Sequence, residues 1–286
     1  MCSNMGAGAR RAAAPAAPAA QTAAPAAAPA AAQQATSRLV SDTGVQDMDD
    51  AALTALITRA MNATITPDGR QDTPAQRIAD ALGITQNVPE SVPQEALAQY
   101  RGKVYEQGTI YRTVNNAGGK TGRQIAHDLT SSSDYGLNFG GGRCWGCGLY
   151  FAGSGPNAPN SNYGAVDSSN YGSSARGAYT MEARFKSTAK VATVSDVTGP
   201  AGRAWAKKHA GALRKMGLSV TASGSVTSRS TRSMSSDDMH TTLALLMGYD
   251  AYRGGTTTVP YYTIFNRGAL QVARGNKYDR ASNWDL

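Results

Sequence analysis

Two small clusters and a few isolated residues in this chain are of types that do chemistry, and their spacing decides which chemistry is open to them. Cys144 and Cys147 stand in "GGGRCWGCGLYFAG", residues 140 to 153, with the two-residue gap shared by zinc ligands and redox dithiols. The remaining cysteine is Cys2, and the histidines, His127, His209 and His240, are scattered over predicted helices. No second C-x-x-C and no paired histidines complete a four-ligand zinc site, so no metal is expected. A thioredoxin-type dithiol lies between a strand and a helix, whereas here a glycine and then a strand follow Cys147. The pair therefore reads as two small residues in a glycine-rich turn. Nothing points to a disulfide-built secreted scaffold.

The second place to look is "TIYRTV", residues 109 to 114, where strand alternation puts Ile110, Arg112 and Val114 on one face and Tyr111 and Thr113 on the other. An arginine on an otherwise apolar face either snorkels at a sheet edge or points into a cleft, where its two-pronged guanidinium holds a phosphate or carboxylate. Charge allows the second use. Lys and Arg number 28 against 20 Asp and Glu, and a net charge of +8 favours an anionic partner: nucleic acid, an acidic protein or a dinucleotide. The cations are spread along the chain apart from Lys207, Lys208, Arg214 and Lys215 on one predicted helix, where a solvated face explains them equally well.

The elements that must position these residues fall into three regions. Residues 1 to 36 are rich in Ala and Pro; Pro15, Pro18, Pro25 and Pro29 interrupt alanine runs that would otherwise be helical, giving a disordered tail or semi-stiff spacer. The same segment lacks the apolar run of a signal peptide, and no window of the chain is apolar enough for a transmembrane span. Residues 37 to 100 read as a small helical module. Leu53, Leu56, Ile57, Ala60 and Met61 recur at helical spacing behind Asp49 and Asp50, and "DTPAQRIADALG" has Thr73 as N-cap, Pro74 in the first turn and Gly83 as its stop.

From residue 101 short strands alternate irregularly with helices, which makes the fold class α+β rather than a doubly wound sheet. "TGRQIAHDL" opens with Thr121 and Gln124 in capping-box spacing. The strand "AYTMEARFK" sets Tyr179, Met181, Ala183 and Phe185 inward and Glu182 on a wet face. A helix is predicted over 201 to 216, with His209 as a half-buried stripe residue, and another ends at Gly248. The Gly, Ser and Asn stretch from 153 to 177 is too long for an idle connection and reads as a binding loop or lid. No G-x-G-x-x-G fingerprint, P-loop or H-E-x-x-H occurs.

Taken in order, "IYRTV", "GLNFGGGRCWGCGLYFAG", "NYG", "AYTMEARFKSTAKV", "MGYDAY" and "PYYTIFNRGAL" resemble the ADP-ribosyltransferase superfamily over roughly residues 101 to 286. The G-x-YFA and Y-x-I-F-N elements look like the poly(ADP-ribose) polymerase branch, the arginine of "IYRTV" like the arginine-type toxins. The mixture is most similar to the divergent ADP-ribosyltransferase-like domains of bacteriophage structural and polyvalent proteins. That likeness implies split mixed or antiparallel β-sheets with flanking helices, and NAD as substrate. It also implies a setting in a virion or the host cytoplasm, with capsid or other virion proteins as partners. It further implies that Gly148 holds the nicotinamide amide through its backbone, that Tyr150 stacks on the ring, and that Tyr171 is a second stacker with Tyr163 as its rival. Arg112 would hold the pyrophosphate or ribose.

One position departs from the family. Its transferases use a glutamate to stabilise the positive charge that grows as nicotinamide leaves, and Tyr261 falls where that glutamate would stand. A tyrosine supplies no fixed negative charge at neutral pH. Asp250 and Glu182 are the substitute acids nearest in pattern. Two classes of function stay open at this level: an enzyme transferring ADP-ribose to a protein or other nucleophile, and a catalytically inactive virion protein that keeps the fold as a packing unit. Charge alone adds a third, a basic nucleic-acid binder.

Overall fold

The computed structural model describes residues 38–63, 73–114, 116, 119–131, 148–155, 179–228, 234–255 and 260–274. Its helices are α1 (Asp50–Asn62), α2 (Pro74–Ala81), α3 (Gln94–Ala98), α4 (Gly122–Ser131), α5 (Val194–Thr198), α6 (Pro200–Lys208), α7 (Ala210–Lys215) and α8 (Ser236–Leu246). The two aspartates ahead of the first apolar stripe divide their work. Asp49 caps α1 by accepting the Ala52 N–H at 2.8 Å. Asp50 reaches another helix and accepts the Ala212 N–H at 3.1 Å, in the first turn of α7. Both place negative charge at the positive end of a helix.

Gly211 makes the second cap feasible, because a Cβ there would collide with the Asp50 carboxylate. Gly211→Ala is therefore expected to destabilise the fold by about 1–2 kcal/mol, the size of a lost cap, measured by urea melts. A strain-free Gly→Ala change would stabilise instead.

The expected apolar stripe of α1 is buried at Leu53, Leu56, Ile57 and Ala60, and Thr73 caps α2 through the Gln76 N–H as its spacing predicts. Arginines close the other ends. Arg77 of α2 donates to the carbonyls of Ala60, Met61 and Ala63 at the end of α1, while Arg59 and Arg38 reach those of Ala81 and Leu82 at the end of α2. Helix C-termini carry unpaired carbonyls and partial negative charge, so cations settle there. α8 is buried nearly all round, from Thr241 to Leu246, and packs on α2 and α5. Its two buried threonines satisfy their hydroxyls on the Asp238 carbonyl, at 3.0 Å from Thr241 and 2.7 Å from Thr242.

The strands are β1 (Glu90–Pro93), β2 (Ile110–Val114), β3 (Leu149–Ala152), β4 (Tyr179–Phe185), β5 (Val191–Thr193), β6 (Leu218–Val220), β7 (Val226–Ser228), β8 (Ala251–Gly255), β9 (Pro260–Ile264) and β10 (Leu270–Arg274). Eight of them form one mixed sheet in the order β1-β10-β4-β2-β3-β9-β8-β5, and β6 and β7 make a separate hairpin. The fold is thus α+β, as the irregular rhythm of elements predicts. The outer pairs β1/β10 and β5/β8 are parallel and the inner pairs antiparallel. Two four-stranded halves meet at β2 and β3, whose ladder among the described residues is the single pair Tyr111 with Ala152. All the described residues lie in one compact unit, with α1 packed on α7 and β1 paired at the sheet edge.

The helix expected over 201–216 is broken in two at His209, whose φ of −109° and ψ of 26° end α6. The reason is tertiary: Asp50 captures the Ala212 N–H and starts a second helix there. His209 is also fully rather than half buried, 1% exposed, with its ring 4.7 Å from that of Trp205 and neither ring nitrogen hydrogen-bonded. Burial pushes its pKa down, Lys208 adds to this, and Asp50 and Asp49 oppose it. His240, also pushed down by burial, acts in the same direction. A lowered histidine pKa means that the unfolded chain takes the proton first. Its stabilisation is present above the unfolded value of about 6.5 and is lost as pH falls below it. His209→Phe is expected to flatten the fall in melting temperature between about pH 7 and 5, the range just below that value; an unchanged slope would refute it.

Candidate functional site

Arg112 lies where the two halves of the sheet part. One residue along β2 from the Tyr111–Ala152 pair, its Nη1 donates to the backbone carbonyl of Tyr150 on β3 at 2.9 Å. A guanidinium thus spans the two strands just beyond their single rung, so the apolar-face arginine is neither at a sheet edge nor swung out into solvent. Tyr150 follows Gly148 by two residues, and the three residues come together at one place in the fold.

Gly148 has its own structural reason to be glycine. A Cβ there would stand 2.6 Å from the Ile264 carbonyl oxygen and 2.7 Å from Thr263 Cγ2, so the close approach of β9 to β3 excludes a side chain. Register puts Tyr150 opposite Thr263 and Ala152 opposite both Tyr261 and Tyr111, so Tyr150 and Tyr261 share one face of the sheet and Arg112, next to Tyr111, leaves from the other. Tyr261 has small neighbours on both sides, Ala152 and Gly254. Both tyrosines are half-buried. Tyr171 and Tyr163, the residues from 132 to 147 that include Cys144 and Cys147, and most of the 153–177 stretch lie outside the described residues.

The two candidate acids sit elsewhere, each in a polar assembly of its own. Asp250, 0% exposed, immediately precedes β8. Its Oδ1 accepts from the Val40 N–H and from Asn266 Nδ2, both at 2.8 Å, and its Oδ2 from the Lys190 N–H at 3.0 Å. Asn266 and Asn87 both donate to the Arg38 carbonyl, and Asn87 also donates to Asn266 Oδ1. This network ties the N-terminal turn to β5, β8 and β9. Burial pushes the Asp250 pKa up, against the three hydrogen bonds that lower it.

Glu182 is 2% exposed and not on a wet face. Arg101 grips both its oxygens at 2.7 Å, and the Tyr111 hydroxyl donates to Oε1 at 3.3 Å. The strand alternation is as expected, but the chain around Tyr100 and Arg101 covers the outer face: Tyr100 also lies under the Arg184 guanidinium at 3.8 Å.

A further group at the β8–β9 end carries no sequence signal. Arg253 pairs with Glu106, its Nη1 at 2.9 and 3.0 Å from the two oxygens, and stacks on Tyr105 at 4.0 Å. Tyr105 holds a left-handed φ of 51°, unusual for an aromatic, while its N–H donates to the Ser154 carbonyl at 2.8 Å. The buried Tyr262 hydroxyl is held well above its ordinary pKa by burial and by Glu106, with Arg253 opposing. Partners 147 residues apart in sequence, Glu106 and Arg253, form no local pattern.

Among the described residues no group of three or more His, Cys, Asp or Glu side chains is placed to hold a metal, and no helix is long and apolar enough to cross a membrane. No protein-family model, curated protein or solved structure matches this chain.

Proposed function

We propose that the compact unit carries an ADP-ribosyltransferase-like fold over residues 101–286, with the described residues of 38–100 packed into the same unit, and that it binds NAD at the junction between β2 and β3. The observation that carries the reading is Arg112 at the one-rung junction of the sheet, its guanidinium reaching the Tyr150 backbone carbonyl. Arg112 would engage the pyrophosphate or ribose through its guanidinium; the rings of Tyr150 and Tyr261 lie on the opposite face of the sheet, so they would offer aromatic surface only to a nicotinamide that passes through the junction. Transfer of ADP-ribose to a protein or other nucleophile additionally requires a carboxylate beside the nicotinamide ribose. Tyr261 stands at the family's glutamate position, and Asp250 and Glu182 are held by buried partners of their own. These observations favour binding over efficient transfer. They also support the second reading, an inactive domain that serves as a packing unit in a phage virion.

Calorimetry of NAD with the full chain tests the proposal. Arg112→Ala and Tyr150→Ala are each expected to weaken binding about tenfold or more, equivalent to roughly 1.4 kcal/mol. Arg112→Lys keeps the charge but loses the planar fork, and is expected to recover only part of it. Absence of binding at millimolar NAD would remove the dinucleotide site and leave the packing reading.

A further inference from the structure

The chain's positive charge is used unevenly. Arg38, Arg59, Arg77, Arg112 and Arg267 donate to backbone carbonyls of their own chain, and Arg101 and Arg253 to the carboxylates of Glu182 and Glu106. These cations are occupied internally. Residues 200–215 differ: "PAGRAWAKKHAGALRK" carries Lys207, Lys208, Arg214 and Lys215 and no carboxylate, and its fifth cation, Arg203, donates to a backbone carbonyl, that of Thr198. Lys207, Lys208, Arg214 and Lys215 are exposed, and none of the four is ion-paired among the described residues. The nearby acids Asp49 and Asp50 of α1 are spent on the helix N-termini they cap.

Helix ends attract cations, which accounts for one or two of these residues at each terminus. The neighbouring hairpin adds a separate observation. Gly224, at φ +89°, approaches Arg203 so closely that a Cβ would stand 2.5 Å from the Arg203 carbonyl oxygen. This contact seats the tip of the β6–β7 hairpin against α6. The tip presents three exposed hydroxyls in a row: Thr221 Oγ1 lies 2.8 Å from Ser223 Oγ, which lies 3.3 Å from Ser225 Oγ. Exposed ammonium and guanidinium groups with no acid on either helix are the donor set that phosphate oxygens take, and the hairpin tip adds hydroxyls next to Arg203 of α6.

We propose that the α6–α7 face and the β6–β7 tip form a docking surface for the phosphate backbone of nucleic acid. The surface recognises charge and spacing rather than base sequence, since its contacts come from exposed Lys, Arg, Ser and Thr side chains. It is independent of the NAD proposal, because none of its residues belongs to the β2–β3 junction.

The test is fluorescence anisotropy of a short labelled DNA duplex with the full chain, titrated across salt from about 50 to 200 mM, where backbone binding changes steeply. Lys207→Ala/Lys208→Ala/Arg214→Ala/Lys215→Ala removes four exposed cations without touching the core. It is expected to weaken binding at least tenfold at low salt and to flatten the slope of log K against log salt by about 3 to 4. The two double variants, Lys207→Ala/Lys208→Ala and Arg214→Ala/Lys215→Ala, should each give about half that change.

A control with the same loss of charge, Arg59→Ala/Lys103→Ala/Arg123→Ala/Lys190→Ala, should retain most of the affinity. Equal losses in patch and control variants would overturn the surface, and so would failure of the parent chain to bind at low salt. Displacement of the duplex by polyglutamate as readily as by unlabelled duplex would overturn its preference for phosphate.

Discussion

Asp250→Ala is expected to destabilise the protein by roughly 2–6 kcal/mol, because two of its three donors are buried away from water and lose their acceptor at about 1–3 kcal/mol each. The donors are the Val40 and Lys190 N–H groups and the Asn266 amide. Against a typical domain stability of about 5–15 kcal/mol, that change leaves a large share of the molecules unfolded at ordinary temperature. Chemical denaturation of parent and variant measures it. Asp250→Asn should fall between the two, since it keeps one oxygen but can turn an amide N–H toward a donor.

Burial raises the Asp250 pKa, so the native state holds its proton to higher pH than the unfolded chain does. Its contribution to stability is present below the unfolded value of about 3.9 and is lost as pH rises through the raised native value. Asp250→Asn removes that loss, so the stability gap between parent and variant should narrow as pH rises. A variant that folds with parental stability and loses only ADP-ribose transfer would instead make Asp250 a catalytic acid.

Arg101→Ala is the other large effect. Removing one member of an ion pair costs about 3–5 kcal/mol where the charge left behind is buried, and Glu182 would be that orphan. Glu182→Ala should cost less, since Arg101 is 20% exposed and can turn toward water. Replacing both partners with apolar residues, as in Arg101→Met/Glu182→Leu, should recover most of the loss. The cycle of single and double variants, read as unfolding free energies, measures the coupling directly. Near-additive losses would show that the bidentate contact contributes little.

Local signals explain much of the chain. Thr73, Pro74 and the capping-box pair Thr121 and Gln124 act as their spacing predicts, because caps are made within three or four residues. The alternation in β2 and β4 is legible for the same reason. β1 and β5 carry no local signal: four and three residues long, they exist because β10 and β8 offer them parallel partners. The break at His209 also depends on a distant residue, since the cap that restarts the helix comes from 162 positions earlier.

The sequence by itself determined the α+β class, the positions of the main helices, and Arg112 as an arginine set on a strand with apolar neighbours, because propensity, capping and period act over a few residues. Only the tertiary structure decided what the charged groups do. It set Arg112 across the sheet junction onto Tyr150, locked Asp250 into a network reaching back to Val40, and buried Glu182 under Arg101. It also left Lys207, Lys208, Arg214 and Lys215 exposed, with no ion pair among the described residues. The physical reason is range. A carboxylate's role depends on which donors surround it and whether water is excluded, and both are set by segments far apart in the chain.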